Sequence, residues 1–267
     1  MRLREWLAEG RPVVLDGGLS TALEELGAEL DDPLWTARAL RDSPSVVLAA
    51  HAAFVAAGAE IVIAASYQAP DALLARAVEV ARGAGVYVAG SVAPYGALLG
   101  GGQEYTGAYS VPAGWHERRM ELLLSAGPDC VAVETQPRID EAVAIASLVE
   151  GVDCWVSFTC RDGERIGDGS RIEDAVAAVS GLVSVAAVGV NCTAPEHVGE
   201  LLARARSVTD LPLVAYPNAG GGWDAAAKRW RGGEAGAGIT DFRDAQLIGG
   251  CCGVGPAALR ALAASVR

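Results

Sequence analysis

The chain lacks most of the features that would assign it to a class quickly. No run of about 18 apolar residues is free of charge, which argues against a membrane-spanning helix. The opening MRLREWLAEG has no apolar stretch behind its basic residues, so no secretory signal is expected and the chain reads as cytoplasmic. LDGGLSTALEELG carries no GxGxxG, so the phosphate turn of an open dinucleotide-binding sheet is missing. There are only three histidines, His51, His116 and His197, all in helical or loop sequence, which leaves no well-placed histidine base or nucleophile. Lysines are few and Lys228 falls in a loop, which disfavours a Schiff-base lyase or aldolase. Basic charge is short as well, with 21 Lys+Arg against 33 Asp+Glu and a formal net charge of −12. Such a surface repels nucleic acid and anionic lipid, and neither is an expected partner.

What is present is apolar and periodic. Hydrophobic residues make up 51% of 267, enough for a large core, and one barrel domain of about 250 residues is a common size. Eight short runs rich in valine and isoleucine recur: RPVVLDGG (11–18), AEIVIAAS (59–66), VYVAGSV (86–92), CVAVET (130–135), DCWVSFTC (153–160), VAAVGVNC (185–192), PLVAYPN (212–218) and AQLIGGCC (245–252). Near-continuous hydrophobicity of this kind marks parallel strands buried on both faces. Helical sequence separates most of them. SPSVVLAAHAAFVAAG (43–58) has a Ser-Pro start and a Gly stop, and PDALLARAVEVARGAG, RIDEAVAIASLVEG, RIEDAVAAVSGL and APEHVGELLARARSV are similar. Eight alternating units predict a single α/β domain over 1–267, a closed (β/α)8 TIM barrel, with an open doubly wound sheet as the alternative. The glycine-rich segments 96–109 and 218–238 follow the third and seventh strands and are expected as long loops on the top face. Their Tyr105, Tyr109, Trp223 and Trp230 would be unusual in inert linkers.

Barrel enzymes carry their reactive residues at the C-terminal ends of strands. The polar residues ending the eight runs include Asp16, Ser66, Glu134, Thr159, Cys192, Asn218, Cys251 and Cys252. Six cysteines in a reducing compartment point to metal, catalysis or buried thiols rather than disulfides. Three of them end the sixth and eighth strands, whose tips lie about 10 Å apart at the usual strand spacing. Adjacent cysteines in an extended strand point to opposite faces, but the glycines around Cys251-Cys252 let the backbone turn so that both sulfurs can face one point. Thiolates select zinc among common cytosolic metals, and three protein ligands leave a fourth position for substrate. Spacing alone leaves two other readings open: small core residues, or a vicinal disulfide. Cys130 and Cys154 begin strands and read as core packing; Cys160 is undecided.

The motifs VVLDGGLSTALEELG, ASYQA, GSVAPYGALLGGGQEYTGAY, VAVETQP, WVSFTCRDG, GVNC, YPNAG and LIGGCCG follow one another from about residue 11 to about 257. In this they resemble the homocysteine S-methyltransferase family, most closely its S-methylmethionine-using branch. GVNC followed some sixty residues later by GGCCG is the most specific part of the match. The resemblance implies a (β/α)8 barrel with Zn2+ held by Cys192, Cys251 and Cys252. It implies that Asp16 and Glu134 bind the homocysteine ammonium, and that backbone amides near Gly17 and Gly18 receive its carboxylate. Asn218 matches a residue able to fill the fourth metal position before substrate arrives, and Tyr67 lies where the donor-side loop begins. The partners implied are homocysteine and a sulfonium donor, S-methylmethionine or S-adenosylmethionine. Methylcobalamin is disfavoured because no further domain is present to carry it, and betaine on the motif match. The segments between SYQA and VAGSV and between YPNAG and LIGGCCG are shorter than the family pattern, which bears on donor choice. Methylation of another thiol or selenol such as selenocysteine, or a non-catalytic zinc- or thiol-binding barrel, are the rival readings. Nothing in the composition fixes the oligomeric state.

Overall fold

Each of the eight apolar runs forms a strand. They are β1 (Val13–Val14), β2 (Ile61–Ile63), β3 (Tyr87–Val92), β4 (Cys130–Gln136), β5 (Asp153–Phe158), β6 (Val185–Asn191), β7 (Leu213–Tyr216) and, after a short hairpin of β8 (Gly222–Asp224) and β9 (Arg229–Arg231), β10 (Leu247–Ile248). The computed structural model describes residues 1–30, 35–220, 222–224, 229–231, 242 and 244–266. The eight long-run strands form one parallel sheet in the order β1-β10-β7-β6-β5-β4-β3-β2. A parallel bridge from Leu15 to Ile61 joins its two edges, so the sheet closes into a (β/α)8 TIM barrel and the open-sheet alternative falls.

The two-residue period of the strands divides the core into two layers. Inward positions such as Leu15, Ile61, Ala89, Ala132, Trp155, Ala187, Val214, Tyr216 and Leu247 form one buried cluster. Leu3, Trp6 and Leu7 of the N-terminal helix Leu3–Leu7 belong to that same cluster and plug the bottom of the barrel. Outward positions such as Val14, Val62, Val88, Val131, Val133, Val156, Val188 and Ile248 pack under the surrounding helices. The strands are buried on both faces, which is why they read as unbroken apolar runs rather than as alternation.

The helices follow the sequence signals closely. Pro44–Ala57 starts on Pro and stops at Gly58, whose φ of 114° ends the helix in the left-handed region. Leu74–Arg82, Ile139–Ser147, Ile172–Ser180 and Pro195–Arg206 occupy the other periodic segments. Leu3–Leu7, Thr36–Asp42, Trp115–Ser125 and Pro256–Val266 lie outside those segments. The glycine-rich 96–109 segment forms short turns at Gly96–Leu99 and Gln103–Tyr105. In the second glycine-rich segment, β8 pairs antiparallel with β9 and sets Trp223 opposite Trp230; Lys228 and most of the remainder lie outside the described residues. Among the described residues no helix is long and apolar enough to cross a membrane.

Candidate active site

Two strand ends bring three cysteines into one cluster of sulfur. After β6, Cys192 takes φ +48°, a conformation that costs a non-glycine residue about 1–3 kcal/mol and needs support. Support comes from both sides: its N–H donates to the Tyr216 carbonyl at 3.2 Å, and its carbonyl accepts from Thr159 Oγ1 at 3.2 Å. After β10, Gly249 N–H donates to the Ala215 carbonyl, Gly250 N–H to the Asp16 carbonyl and Cys251 N–H to the Pro217 carbonyl. These bonds lash the tips of β1, β7 and β10 together. A Cβ on Gly249 would lie 2.7 Å from the Asp16 carbonyl oxygen and one on Gly250 would lie 2.2 Å from the Val254 side chain, so only glycine fits this turn. The result is that the sulfurs of Cys192, Cys251 and Cys252 all lie within 4.8 Å of one another, and Cys192 Sγ is 3.8 Å from Cys252 Sγ.

All six cysteines are free thiols, so the vicinal disulfide is not formed. Hydrogen bonds from the Cys251 and Cys252 thiols hold the Cys192 thiol well below its ordinary range. The same contacts push Cys251 and Cys252 up. Within the trio Cys192 is the thiol most readily ionised, because the other two can donate S–H groups to it. Soft donors this close together, one already inclined to ionise, suit a thiophilic divalent ion better than a hard one. Asn218 lies between two residues bonded to the cysteine turn. Its neighbours Pro217 and Ala219 hydrogen-bond the Cys251 N–H and the Cys252 carbonyl, and its own Oδ1 is buried with no donor among the described residues.

Two carboxylates sit beside the sulfurs in different states. Asp16 is 1% exposed, and its Oδ2 accepts the Ile63 N–H at 2.8 Å. Its Oδ1 finds no donor among the described residues. Burial raises its pKa well above the usual carboxylate range. Glu134 is satisfied at both oxygens, by Ser91 Oγ and by Tyr216 OH at 3.0 Å, yet burial still pushes it up to about 7. Tyr216 OH in turn accepts hydrogen bonds from Trp155 Nε1 at 3.0 Å and Ser157 Oγ at 2.6 Å, so the carboxylate is fixed by a chain of buried polar groups. Gly17 and Gly18 bring the β1 turn against the β10 loop: added Cβ atoms would lie 2.4 Å from the Val254 carbonyl and 2.6 Å from the Cys251 carbonyl. The Gly18 N–H is already committed to Val254 O at 2.9 Å.

Several residues of the site lay beyond sequence reasoning. Thr135 has φ +58° and exchanges two hydrogen bonds with the Asn191 side chain, at 2.7 and 2.8 Å, which brace the tips of β4 and β6. Ser91 and Tyr216 hold Glu134, whereas Tyr105, already singled out in the sequence, sets its OH 3.4 Å from Cys192 Sγ. Ser91, Thr135 and Asn191 sit at strand ends and could have been flagged on that ground; their pairing across strands leaves no trace in spacing.

Several of these groups line one cavity that opens to solvent. Asp16, Gly17, Gly18, Tyr67, Glu134, Cys192, Cys251 and Cys252 all border it, together with Glu104 and Tyr105; Asn218 does not. Fold and cavity define a (β/α)8 barrel of the enzymatic kind, with a thiol- and carboxylate-lined pocket at the C-terminal ends of its strands. The family model for homocysteine S-methyltransferase matches residues 13–266. The chain belongs to that family. It is 39% identical to the homocysteine S-methyltransferase of Escherichia coli strain K12, across 98% of this chain and 97% of that protein. It superposes on the metallated form of the Escherichia coli homocysteine methyltransferase MmuM with a TM-score of 0.84, at 36% identity over 98% of this chain and 99% of that one. It is also 35% identical to a selenocysteine Se-methyltransferase of Brassica oleracea var. italica, over 97% of this chain and 90% of that protein. The alignment with the Escherichia coli protein runs over 302 positions against the 267 residues here, so part of that relative has no counterpart in this chain.

Proposed function

We propose that the chain methylates homocysteine to methionine, taking the methyl group from a sulfonium donor, S-methylmethionine or S-adenosylmethionine, with one zinc ion held by Cys192, Cys251 and Cys252. The observation that carries this reading is the meeting of three sulfurs within 4.8 Å at the wall of a pocket that also holds buried carboxylates. Zinc in such a site is a Lewis acid that keeps a coordinated thiol deprotonated at neutral pH. Everything else in the reaction falls to the protein's own groups. Asp16 Oδ1, buried and lacking a donor, accepts the homocysteine ammonium; Glu134, held rigid by Ser91 and Tyr216, adds the second negative charge on that side. The substrate carboxylate would be received by backbone amides of the Gly17-Gly18 turn other than that of Gly18, which is bonded to Val254 O. Asn218, whose Oδ1 is buried without a donor among the described residues, would be the candidate to fill the fourth position before substrate arrives. Tyr67 lines the donor side.

Transfer turns a positive sulfonium into a neutral thioether, so the leaving group takes no proton. That accords with a pocket whose described lining includes no histidine and no other basic side chain. Holding acceptor and donor in one oriented pair supplies much of the remaining rate. The likeness to a selenocysteine Se-methyltransferase supports a second acceptor, a selenol, at the same site.

The test is methionine formation by zinc-loaded protein from homocysteine and each sulfonium in turn, with selenocysteine as a parallel acceptor. Methionine is expected with at least one sulfonium and none after chelation of the metal. Product from neither acceptor with any donor overturns the proposal.

A further inference from the structure

The described lining of the pocket contains three carboxylates, Asp16, Glu134 and Glu104, and no lysine, arginine or histidine. Two of the three fall together, since Asp16 and Glu134 repel each other enough to raise the Asp16 pKa. Glu104 comes from a different segment, the Gln103–Tyr105 turn. It acts on Tyr67, Cys192 and Cys252, on the side of the sulfurs formed by the segment after β3. Its Oε2 is buried and finds no hydrogen-bond donor among the described residues. Burial pushes its carboxyl up to about 7. It is not part of the metal-binding cluster, which comprises the three thiols alone among the described residues.

The segment carrying Glu104 is firmly seated. Glu141, 3% exposed, accepts hydrogen bonds from the Tyr95 N–H at 2.6 Å and Tyr109 OH at 2.7 Å and pairs with His116 Nε2 at 2.9 Å. Arg138 donates to the Tyr109 carbonyl at 2.5 Å. The Tyr105 carbonyl rests against Gly167, where an added Cβ would come within 2.6 Å of it. A carboxylate oxygen kept dry and unpaired on a fixed segment is costly unless a ligand satisfies it.

Resting on the methyltransferase reading of this pocket, we propose that Glu104 binds the α-ammonium of the amino-acid methyl donor. The unmet need is for an N–H donor, which an ammonium has and a sulfonium lacks. Catalysis points the same way. An anion set against the sulfonium would stabilise the positive charge that the reaction disperses, and so favour the ground state over the transition state. The ammonium keeps its charge throughout, and binding it positions the donor without that penalty. Asp16 and Glu104 then serve two ammonium groups in the one pocket, one for each substrate.

The test compares S-methylmethionine with its des-amino analogue, in the wild type and in Glu104→Gln, with zinc content measured in both proteins. Glu104→Gln is expected to raise the KM for S-methylmethionine about 10- to 100-fold, the usual effect of losing one charge-assisted hydrogen bond. The KM for homocysteine should stay within twofold, and the wild type's preference for the amino donor should collapse in the variant. Glu104→Asp should restore part of the loss. An unchanged preference, or an equal rise in the homocysteine KM, overturns the assignment. Calorimetric binding of S-methylmethionine, read without turnover, separates the two claims. Binding weakened in Glu104→Gln with no methionine formed by the wild type defeats the transfer reaction and keeps the subsite. Equal binding by both proteins defeats the subsite.

Discussion

The two ends of the barrel use the same residue types to opposite purpose. At the bottom, buried Asp153 is held by Arg2 at 2.5 Å and Arg4 at 2.6 Å, and takes the Arg4 N–H as well. At the top, Asp16 is as deeply buried, but one oxygen has no donor among the described residues, and Glu104 repeats the pattern. Cysteines divide the same way. Cys130 and Cys154 begin their strands, lie fully buried in apolar surroundings and are pushed up by desolvation, Cys154 to about 12. Cys192, Cys251 and Cys252 end theirs and meet. The protein neutralises its buried polar groups at the bottom, where they serve the fold. At the top it leaves Asp16 Oδ1 and Glu104 Oε2 without a donor among the described residues, open to a ligand.

That contrast can be broken most severely at the sulfurs. Cys192→Ser should reduce methionine formation to background, while Cys154→Ala, which removes a thiol from the other end, should retain turnover and lose only stability. The aspartates come next. Asp16→Asn should raise the homocysteine KM about 10- to 100-fold with little change in kcat, because it removes binding common to ground and transition states. Asp153→Asn should leave both constants alone and lower Tm instead. Its arginine partners are about half exposed, so the loss is discounted to about 1 kcal/mol, or ~2–4 °C.

A smaller effect should appear in the pH profile. Glu134 titrates at about 7 and helps bind an ammonium only as the carboxylate, so the homocysteine KM should fall as pH rises through that value. Glu134→Gln should flatten the dependence. Without substrate the sign reverses for stability. The folded pKa lies above the ordinary 4.5, so the folded state holds the extra proton and stability declines as pH climbs from about 4.5 to about 7. The smallest change is expected from Tyr105→Phe, which removes a hydroxyl 3.4 Å from Cys192 Sγ and should cost a few-fold in kcat. A loss as large as that of Cys192→Ser would place the hydroxyl in the chemistry itself.

The barrel was legible because its strands are buried on both faces, so each strand appears as an apolar run whose last polar residue marks the top. The same logic picked out Asp16, Glu134, Cys192, Cys251 and Cys252, all of which border one cavity. The supporting groups were not legible. Ser91 and Tyr216 reach Glu134 from β3 and β7, and Asn191 braces Thr135 across β4 and β6, through contacts that depend on strand order and register. Glu104 lies in a glycine-rich segment with no periodicity, and its importance comes from being buried without a partner, which only the packed structure reveals. The Leu3–Leu7 helix is too short for its pattern to stand out, yet it closes the barrel floor.

The central claim is that the top thiols, and not those at the bottom, hold one metal ion. Zinc content per chain, measured by mass spectrometry on the intact protein, tests it directly. The account predicts one zinc in the wild type and in Cys154→Ala, and none tightly held in Cys251→Ser. Zinc retained at full stoichiometry and affinity in Cys251→Ser would contradict it.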